Sequence, residues 1–346
     1  MVGGPENGTV RLVRGFAEAG TRVTVVAPAF LGERPTADPV DGVEVVFVPH
    51  DRRLSLLRGM RPWREAALQR VGEVEPDVVH GQGILTGGVV AAATDRPRLV
   101  TARGNARRDT LAAYRGVTGR VRAAMRDRLA RGVVDAVDVL VGVHPDWRVN
   151  LPVQPRRLEY IPNIVDEAFF SVARKPAART VLYCGGPRRI KGWDLLQSAF
   201  EGVLHELPDA QLHAVGWPID ADRPNVPGVQ VSAPLSPHEL ARAMAASDVV
   251  VLPSRYDVSP ILLAEAWATG TPVIATTAGG LAALAPGAAV VVPPESPPAL
   301  AQAMLAVLRG EIDTSELVRV GFERAAQHRG GSVVEAHLAL YAELAG

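Results

Sequence analysis

Two carboxylates, Asp257 and Glu265, stand eight residues apart within Ser247–Gly280, and both occupy places where a carboxylate is costly. The stretch reads as strand, loop, helix, turn and strand. Val249–Leu252 is a short apolar run suited to a strand buried on both faces. Ser259-Pro260 reads as a helix start, a capping hydroxyl followed by proline at the first helical position. From Ile261 to Ala268 every residue except Glu265 is apolar. A helix without a polar face is buried, and a lone buried carboxylate requires a partner or a raised pKa. No cation lies within a turn of Glu265 in the sequence, so its partner is a distant side chain or a ligand. Asp257 falls at the carboxyl end of the preceding strand, where open α/β sheets bind ligands.

A hydrolase would set its two carboxylates about 5 Å apart for retention and under about 10 Å for inversion, facing each other across one bond. Ser259 to Glu265 alone spans about 9 Å of helix rise. The two groups are therefore strung along one wall, which suits gripping two parts of a long ligand. The plainer alternative is a loop aspartate and a buried glutamate paired with an arginine.

Asp257-x7-Glu265, followed by Ala-Trp-Ala-Thr-Gly-Thr-Pro-Val-Ile-Ala and by Gly279-Gly280, resembles the E-x7-E region of retaining glycosyltransferases of family 4. Gly185-x5-Lys191-Gly192-x-Asp194-x-Leu196 is similar to that family's phosphate-binding run, Pro162-Asn163-Ile164-Val165-Asp166 to its P-N-G-V-D linker, and Asp77-Val78-Val79-His80 to its D-V-V-H strand. The likeness is close in the C-terminal half and loose in the N-terminal half. It implies the GT-B fold, two Rossmann-like doubly wound parallel-sheet domains facing each other across a cleft that holds the site. It also implies transfer of a sugar from a nucleotide diphosphate to an acceptor with retention at the anomeric carbon, and without a metal cofactor. No Asp-x-Asp pair is placed to hold a metal against the diphosphate.

For such a donor, Asp257 is implied to contact hydroxyls of the transferred sugar and Glu265 the ribose hydroxyls. The departing diphosphate calls for preorganised positive ends. The helix after Ser259 and Pro260 offers the amides of Ile261 and Leu262, and Lys191 offers an ammonium. The chain carries two lysines, Lys175 and Lys191, against 35 arginines, so a lysine in this loop points to a need for a compact, flexible cation. Gly185, Gly186, Gly279 and Gly280 complete the donor side. Gly186 stands where family members usually carry an arginine, a role left to Arg188 or Arg189. Asp257 replaces the family's first glutamate and is one methylene shorter. On the acceptor side, Gly4, Asn7 and Gly8 form a glycine-rich turn, His80 ends a strand, and Gln82 and Arg103 stand where many members have histidines.

A second reading starts from Gly81-Gln82-Gly83-x-x-x-Gly87, which follows a strand and opens a helix, with Arg103 at the end of the next strand. That pattern suits an NADP-dependent oxidoreductase, but it leaves Lys191, Asp257 and Glu265 without a use. A third reading is a sugar-nucleotide-binding relative that has lost transfer.

Length and composition bound these readings. With 346 residues, the chain is expected to form two domains, placed at 1–165 and 166–346, with the last helix, Val333–Leu344, crossing back to the first. Its 37 basic and 37 acidic side chains balance, so nothing pulls it as a whole toward nucleic acid. The single cysteine, Cys184, excludes an internal disulfide and fits a cytoplasmic setting. No apolar run approaches the length of a membrane span, and no signal peptide is evident.

Strands and helices alternate throughout, which argues for parallel sheets. The expected strands are Arg22–Ala27, Val43–Val48, Asp77–His80, Arg98–Ala102 and Val139–Val143 in the first half. Thr180–Cys184, Gln211–Val215, Val229–Ser232, Val249–Leu252, Val273–Thr276 and Ala289–Val292 follow in the second. The turn Gly3–Gly8 is expected to open a helix at Thr9. A doubly wound domain places a central strand before its first glycine turn, and only Met1 and Val2 precede this one, so the chain as given is expected to lack that strand.

One basic stretch remains. Arg103–Arg131 holds nine arginines against Asp109 and Asp127. Within it Val121, Met125, Leu129 and Val133 form an i, i+4 apolar stripe, read as the core-facing side of a helix whose basic face is solvated. The alternative is peripheral docking on an anionic membrane or an acidic acceptor.

Overall fold

Short β-branched runs closed off by glycine, proline and aspartate become parallel strands, with helices between them. The structure is a computed structural model and describes residues 4–30, 40–50, 60–114, 116–149, 151–177, 179–218, 224 and 226–346. The chain divides into two units, one of Met1–Ile164 with Gly330–Gly346 and the other of Val165–Arg329.

In the first unit, α1 (Gly4–Glu18) leads to β1 (Val23–Phe30) and β2 (Val43–His50), which pair parallel from Val23↔Val43 to Phe30↔His50. Helix α2 (Arg61–Val74), β3 (Val79–Gln82), a π-helical turn at Gly83–Gly87 and α3 (Gly88–Ala91) follow. After them come β4 (Arg98–Ala102), α4 (Ala106–Ala113), α5 (Gly116–Ala136), β5 (Val139–Gly142) and β6 (Leu158–Tyr160). Strands β3-β4-β5-β6 form one parallel sheet in that order, and β1-β2 form a separate ribbon. The expectation of a further central strand concerns chain outside the described residues. Alternate residues of β4 and β5 face two cores. Val100, Ala102 and Leu140 pack with Trp63, Ala67 and Val133, whereas Leu99, Val139 and Val141 pack with Leu12 and Phe16 of α1.

Two expectations in this unit are corrected. Helix α1 begins at Gly4, so Gly4, Asn7 and Gly8 lie within its first turns and not in a turn ahead of Thr9. Proline in a first helical turn loses no hydrogen bond, and Pro5 therefore does not stop the helix. The core face of α5 is also different. Gly119, Ala123, Ala130, Val133 and Val134 are buried, whereas Val121 is 53% exposed. The helix runs so close to its predecessor that a Cβ on Gly119 would lie 2.2 Å from the Tyr114 carbonyl oxygen. Small residues therefore take much of the inward face; of the expected stripe Val133 is buried, Met125 and Leu129 are half-buried, and Val121 is turned out.

The second unit contains α6 (Glu167–Ser171), β7 (Thr180–Cys184), α7 (Trp193–Glu206), β8 (Gln211–Val215), β9 (Val229–Ser232) and α8 (Pro237–Ala245). It continues through β10 (Val249–Leu252), α9 (Ile261–Ala268), β11 (Val273–Thr276), α10 (Leu281–Leu284), β12 (Val290–Val292), α11 (Pro297–Leu308) and α12 (Ser315–Ala325). A last helix, α13 (Gly330–Ala345), belongs to the first unit. The six strands are all parallel, in the order β12-β11-β10-β7-β8-β9. Val181, Tyr183, Val249 and Val251 face one core with α7 and α11, and Leu182, Val250 and Leu252 face the other with α9. Burial on both sides is what the uninterrupted apolar runs require. Among the described residues no helix is long and apolar enough to cross a membrane.

Candidate active site

The strand order of the second unit reverses between β7 and β10, because the chain first builds outward through β8 and β9 and then returns on the other side. Loops leaving the carboxyl ends of such neighbours diverge and open a crevice. Lys191 leaves β7 through a 3-10 turn, Arg189–Lys191, and Asp257 leaves β10. Their side chains meet there as an ion pair. Both are largely covered, Lys191 at 27% and Asp257 at 14% side-chain exposure. A small cavity beside them is lined by Tyr183, Cys184, Pro260 and Leu262. Burial, and secondarily the nearby Glu265 carboxylate, push the Cys184 thiol far up, so it stays protonated.

Glycines fix the shape of this loop. At φ +76° Gly192 closes the turn, and a Cβ there would come within 1.9 Å of the Pro253 carbonyl oxygen. Gly186 has φ +59°, and its Cβ would lie 2.5 Å from the Gly216 carbonyl oxygen. No arginine fits at that position, which accounts for the departure from the family pattern. Gly185 accepts a 2.9 Å hydrogen bond from Arg188 Nε through its carbonyl, folding that guanidinium back over the loop. Arg189 is exposed, and its carbonyl rather than its guanidinium is held in place.

The holder is Arg255, a residue that sequence reasoning missed. Its amide donates to the Ile190 carbonyl at 2.9 Å, and Nη1 donates to the Arg189 carbonyl at 2.6 Å. The same guanidinium grips Asp194 through both oxygens, at 2.6 and 2.8 Å, and reaches Glu295 at 2.5 Å. The hydrogen bonds from Arg255 hold the Asp194 carboxyl below the usual carboxylate range. Arg255 thus ties the turn that carries Lys191 to the loop that carries Asp257.

Helix α9 begins one residue later than expected. Pro260 is the cap, with ψ 120°, and Ser259 stands before it. Proline has no N–H to leave unpaired, and the extended ψ turns the chain into the helix. The amides of Ile261 and Leu262 open α9, where intrahelical partners do not reach. Glu265 lies further along α9 and is buried, 6% exposed. Gly279 and Gly280 are bound to the Asp257 backbone. Gly280 donates its amide to the Asp257 carbonyl at 2.7 Å, and a Cβ on Gly279 would sit 2.3 Å from that oxygen.

Residues 2–169 match the family profile described as Glycosyltransferase Family 4, and residues 178–310 match that described as Glycosyl transferases group 1. The chain is a family 4 glycosyltransferase. It is 27% identical to D-inositol 3-phosphate glycosyltransferase of a Nocardioides species over 330 residues, covering 81% of this chain and 71% of the relative. With D-inositol 3-phosphate glycosyltransferase 1 of Catenulispora acidiphila it shares 27% identity over 379 residues, 96% of this chain and 88% of the relative. In fold it is similar to sucrose-phosphate synthase of Thermosynechococcus elongatus, with a TM-score of 0.78 and 20% identity, over 99% of this chain and 94% of the other. The fold is GT-B, and the enzyme takes a nucleotide-sugar donor and an acceptor.

The remaining expected residues of this glycosyltransferase gather in the first unit. His80 Nδ1 lies 2.5 Å from the Tyr341 hydroxyl and Nε2 lies 2.7 Å from Thr101 Oγ1. Gln82 Nε2 is 3.0 Å from His80 Nε2, and Gln82 Oε1 accepts from Arg103 Nε at 3.1 Å. Arg103 Nη1 donates to Asn163 Oδ1 at 2.8 Å and bears on Gly8, whose Cβ would stand 3.0 Å from it. Burial, then the neighbouring His337 and the Arg103 charge, push the His80 imidazole well below its ordinary pKa. Gly4 and Asn7 share the helical backbone that carries Gly8. Strand β3 runs two residues later than expected because its pairing starts at Val79↔Arg98, which brings Gln82 onto the strand.

The oxidoreductase alternative is not supported, since the matches throughout are to glycosyltransferases. Two glycines of that pattern, Gly81 and Gly87, close on one another, while Gly83 between them has open space around it. A Cβ on Gly81 would lie 2.7 Å from the Gly87 carbonyl oxygen, and one on Gly87 would lie 2.3 Å from the Gln82 amide nitrogen. The glycines permit tight packing of a π-helical turn against β3.

Proposed function

We propose that this glycosyltransferase binds the diphosphate of its donor between Lys191 and the opening amides of α9, and transfers the sugar with retention and without a divalent metal. The observation that carries this reading is the Lys191–Asp257 pair at the reversal of strand order. An ammonium has three donors, so Lys191 can keep Asp257 and still reach an oxygen of the departing diphosphate. In a covered site such a preorganised charge stabilises the leaving group far better than in water. Asp257, oriented by Lys191 and by the Gly280 amide on its backbone, accepts hydrogen bonds from the sugar hydroxyls. Glu265, deeper on α9, takes the ribose. In this reading Lys191 supplies the positive charge that a divalent ion would otherwise bring to the diphosphate.

Arg188, folded over Gly185, is assigned to the outer phosphate, with exposed Arg189 beside it. His80, Gln82, Arg103 and Gly8 are assigned to the acceptor side. The curated relatives are named for D-inositol 3-phosphate, which makes that polyol phosphate the first acceptor to offer. The test is release of nucleoside diphosphate from a panel of sugar nucleotides with that acceptor, with product configuration read by NMR. Transfer that survives a chelator and keeps the donor's anomeric configuration supports the reading. An inverted product, or activity lost in chelator and restored by a divalent ion, overturns it.

A further inference from the structure

The corner between α4 and α5 carries a combination found nowhere else on the described surface. Nine large apolar side chains are exposed among the described residues, and four of them, Leu111, Tyr114, Val117 and Val121, fall within eleven positions. Single exposed apolar residues are ordinary, but a cluster marks a surface that is covered in use. Val117 is 72% exposed and Val121 53%, one helical turn apart on α5. They point outward because the inward face of α5 is given to Gly119, Ala123 and Ala130.

Arginines border the same corner. An open groove of about 520 Å³ between the two helices is lined by Arg107, Arg120, Arg128 and Arg131 around Leu111 and Ala124. Asp127 occupies Arg131 at 3.1 Å. Among the described residues no carboxylate pairs with Arg107, Arg120 or Arg128. Arg122 lies over the Tyr114 ring, 4.7 Å from its centroid. The chain as a whole is neutral, so the positive charge is local to this corner.

We propose that the α4–α5 corner is a docking surface for an anionic lipid bilayer, with Val117, Val121 and Tyr114 entering the headgroup boundary and Arg107, Arg120 and Arg128 binding lipid phosphates. An acidic soluble partner would account for the arginines but not for two valines held out into water. An apolar protein partner would account for the valines but not for three arginines without carboxylates. A bilayer with anionic headgroups meets both, since apolar tips enter its boundary while guanidinium groups stay at phosphate level.

Sedimentation of the full chain with vesicles of phosphatidylcholine, and with vesicles in which half of that lipid is phosphatidylglycerol, tests the proposal. The expected result is at least roughly tenfold stronger partition onto the anionic vesicles, with the difference shrinking at high salt. The double variant Arg120→Gln/Arg128→Gln is expected to lose partition by on the order of tenfold or more. Val117→Ser/Val121→Ser is expected to lose a comparable amount while retaining the wild-type melting temperature, because both residues are exposed. Equal partition of the wild type onto both lipids overturns the proposal and leaves an acidic soluble partner for the arginines. So does anionic binding that both double variants retain in full. The comparison between lipids needs no variant, and the two double variants then test whether the binding resides at this corner.

Discussion

Lys191 and Asp257, 66 residues apart in sequence, close on each other where the strand order of the second unit reverses between β7 and β10. Neither is held by its own element. Lys191 is placed by a 3-10 turn that Arg255 ties down, and Asp257 by a loop whose backbone Gly279 and Gly280 brace. The pair therefore depends on three segments of chain, which gives it a fixed position at a mouth that solvent still reaches.

Lys191→Ala is expected to lower turnover by about 10²-fold or more, the usual cost of losing one preorganised charge at a developing anion. Stability should change little, because an ion pair that water still reaches contributes about 0–1 kcal/mol. Turnover at saturating donor, measured beside a melting curve, separates the two effects. Unchanged turnover would remove Lys191 from the phosphate site.

Arg255→Ala is expected to raise the KM for donor by roughly tenfold through Lys191, without touching the donor itself. It strands Asp194 and Glu295, but both are about half exposed, so the stability cost should be about 1–2 kcal/mol. The discriminating measurement is a double-mutant cycle with Lys191→Ala. A positioning role makes the two losses strongly non-additive, whereas independent roles would make them add.

Much of the second unit was legible because its strands are short apolar runs between turn residues. Thr180–Cys184, Gln211–Val215, Val229–Ser232, Val249–Leu252 and Val273–Thr276 end where the sequence predicts. Each of these runs has a glycine, proline or aspartate directly at one end at least, Gly185, Gly216, Gly228, Pro253 and Pro272 among them, and an apolar run stopped by such a residue reads as a strand. The α5 face was legible only in part, since Val133 is buried as expected and Val121 is not. Hydropathy ranks valine and methionine above glycine and alanine, yet a close helix approach reverses that preference, and the partner helix is not visible in a local window. Arg255 was hidden for a related reason. Its carboxylate partners lie 61 and 40 residues away, and an arginine in a loop looks like any other surface charge. Gly186 was visible only as a departure from the family pattern. Its positive φ and its distance to Gly216 supply the cause.

Glu265→Gln is expected to weaken donor binding more than it destabilises the protein. Glutamine is nearly isosteric but replaces one acceptor oxygen with donors, so a diol gripped by two carboxylate oxygens loses a partner. Titration with nucleoside diphosphate and thermal unfolding, run on the same samples, distinguish binding from structure. Were Glu265 chiefly a buried ion-pair member, removing its charge would cost about 3–5 kcal/mol of stability. A large fall in melting temperature with intact nucleotide affinity would assign it that role.

Acid should loosen the first unit before it affects its carboxylates. His337 on α13 is buried, 3% exposed, with Nδ1 at 2.8 Å from the Val333 carbonyl oxygen. Burial, and secondarily the Arg103 charge, push its imidazole down to about 4. His80 stacks on it at 5.4 Å between ring centroids and is pushed down for the same chief reason. The Tyr341 hydroxyl beside His80 is shifted upward by burial and stays protonated across this range. An unfolded histidine has a pKa of about 6.5, so between about pH 6.5 and about pH 4 the unfolded chain binds protons that the folded unit refuses. Stability is therefore full above about pH 6.5 and falls as pH drops through that window, with His337 alone costing about 2 kcal/mol between pH 7 and pH 5. His337→Phe keeps a ring against Phe16, which the histidine meets edge-on at 5.9 Å between centroids, and removes the titrating group. Chemical denaturation at several pH values should show its stability curve about one proton shallower than the wild type's in that window. Parallel curves for the two proteins would show that His337 does not resist protonation in the folded unit.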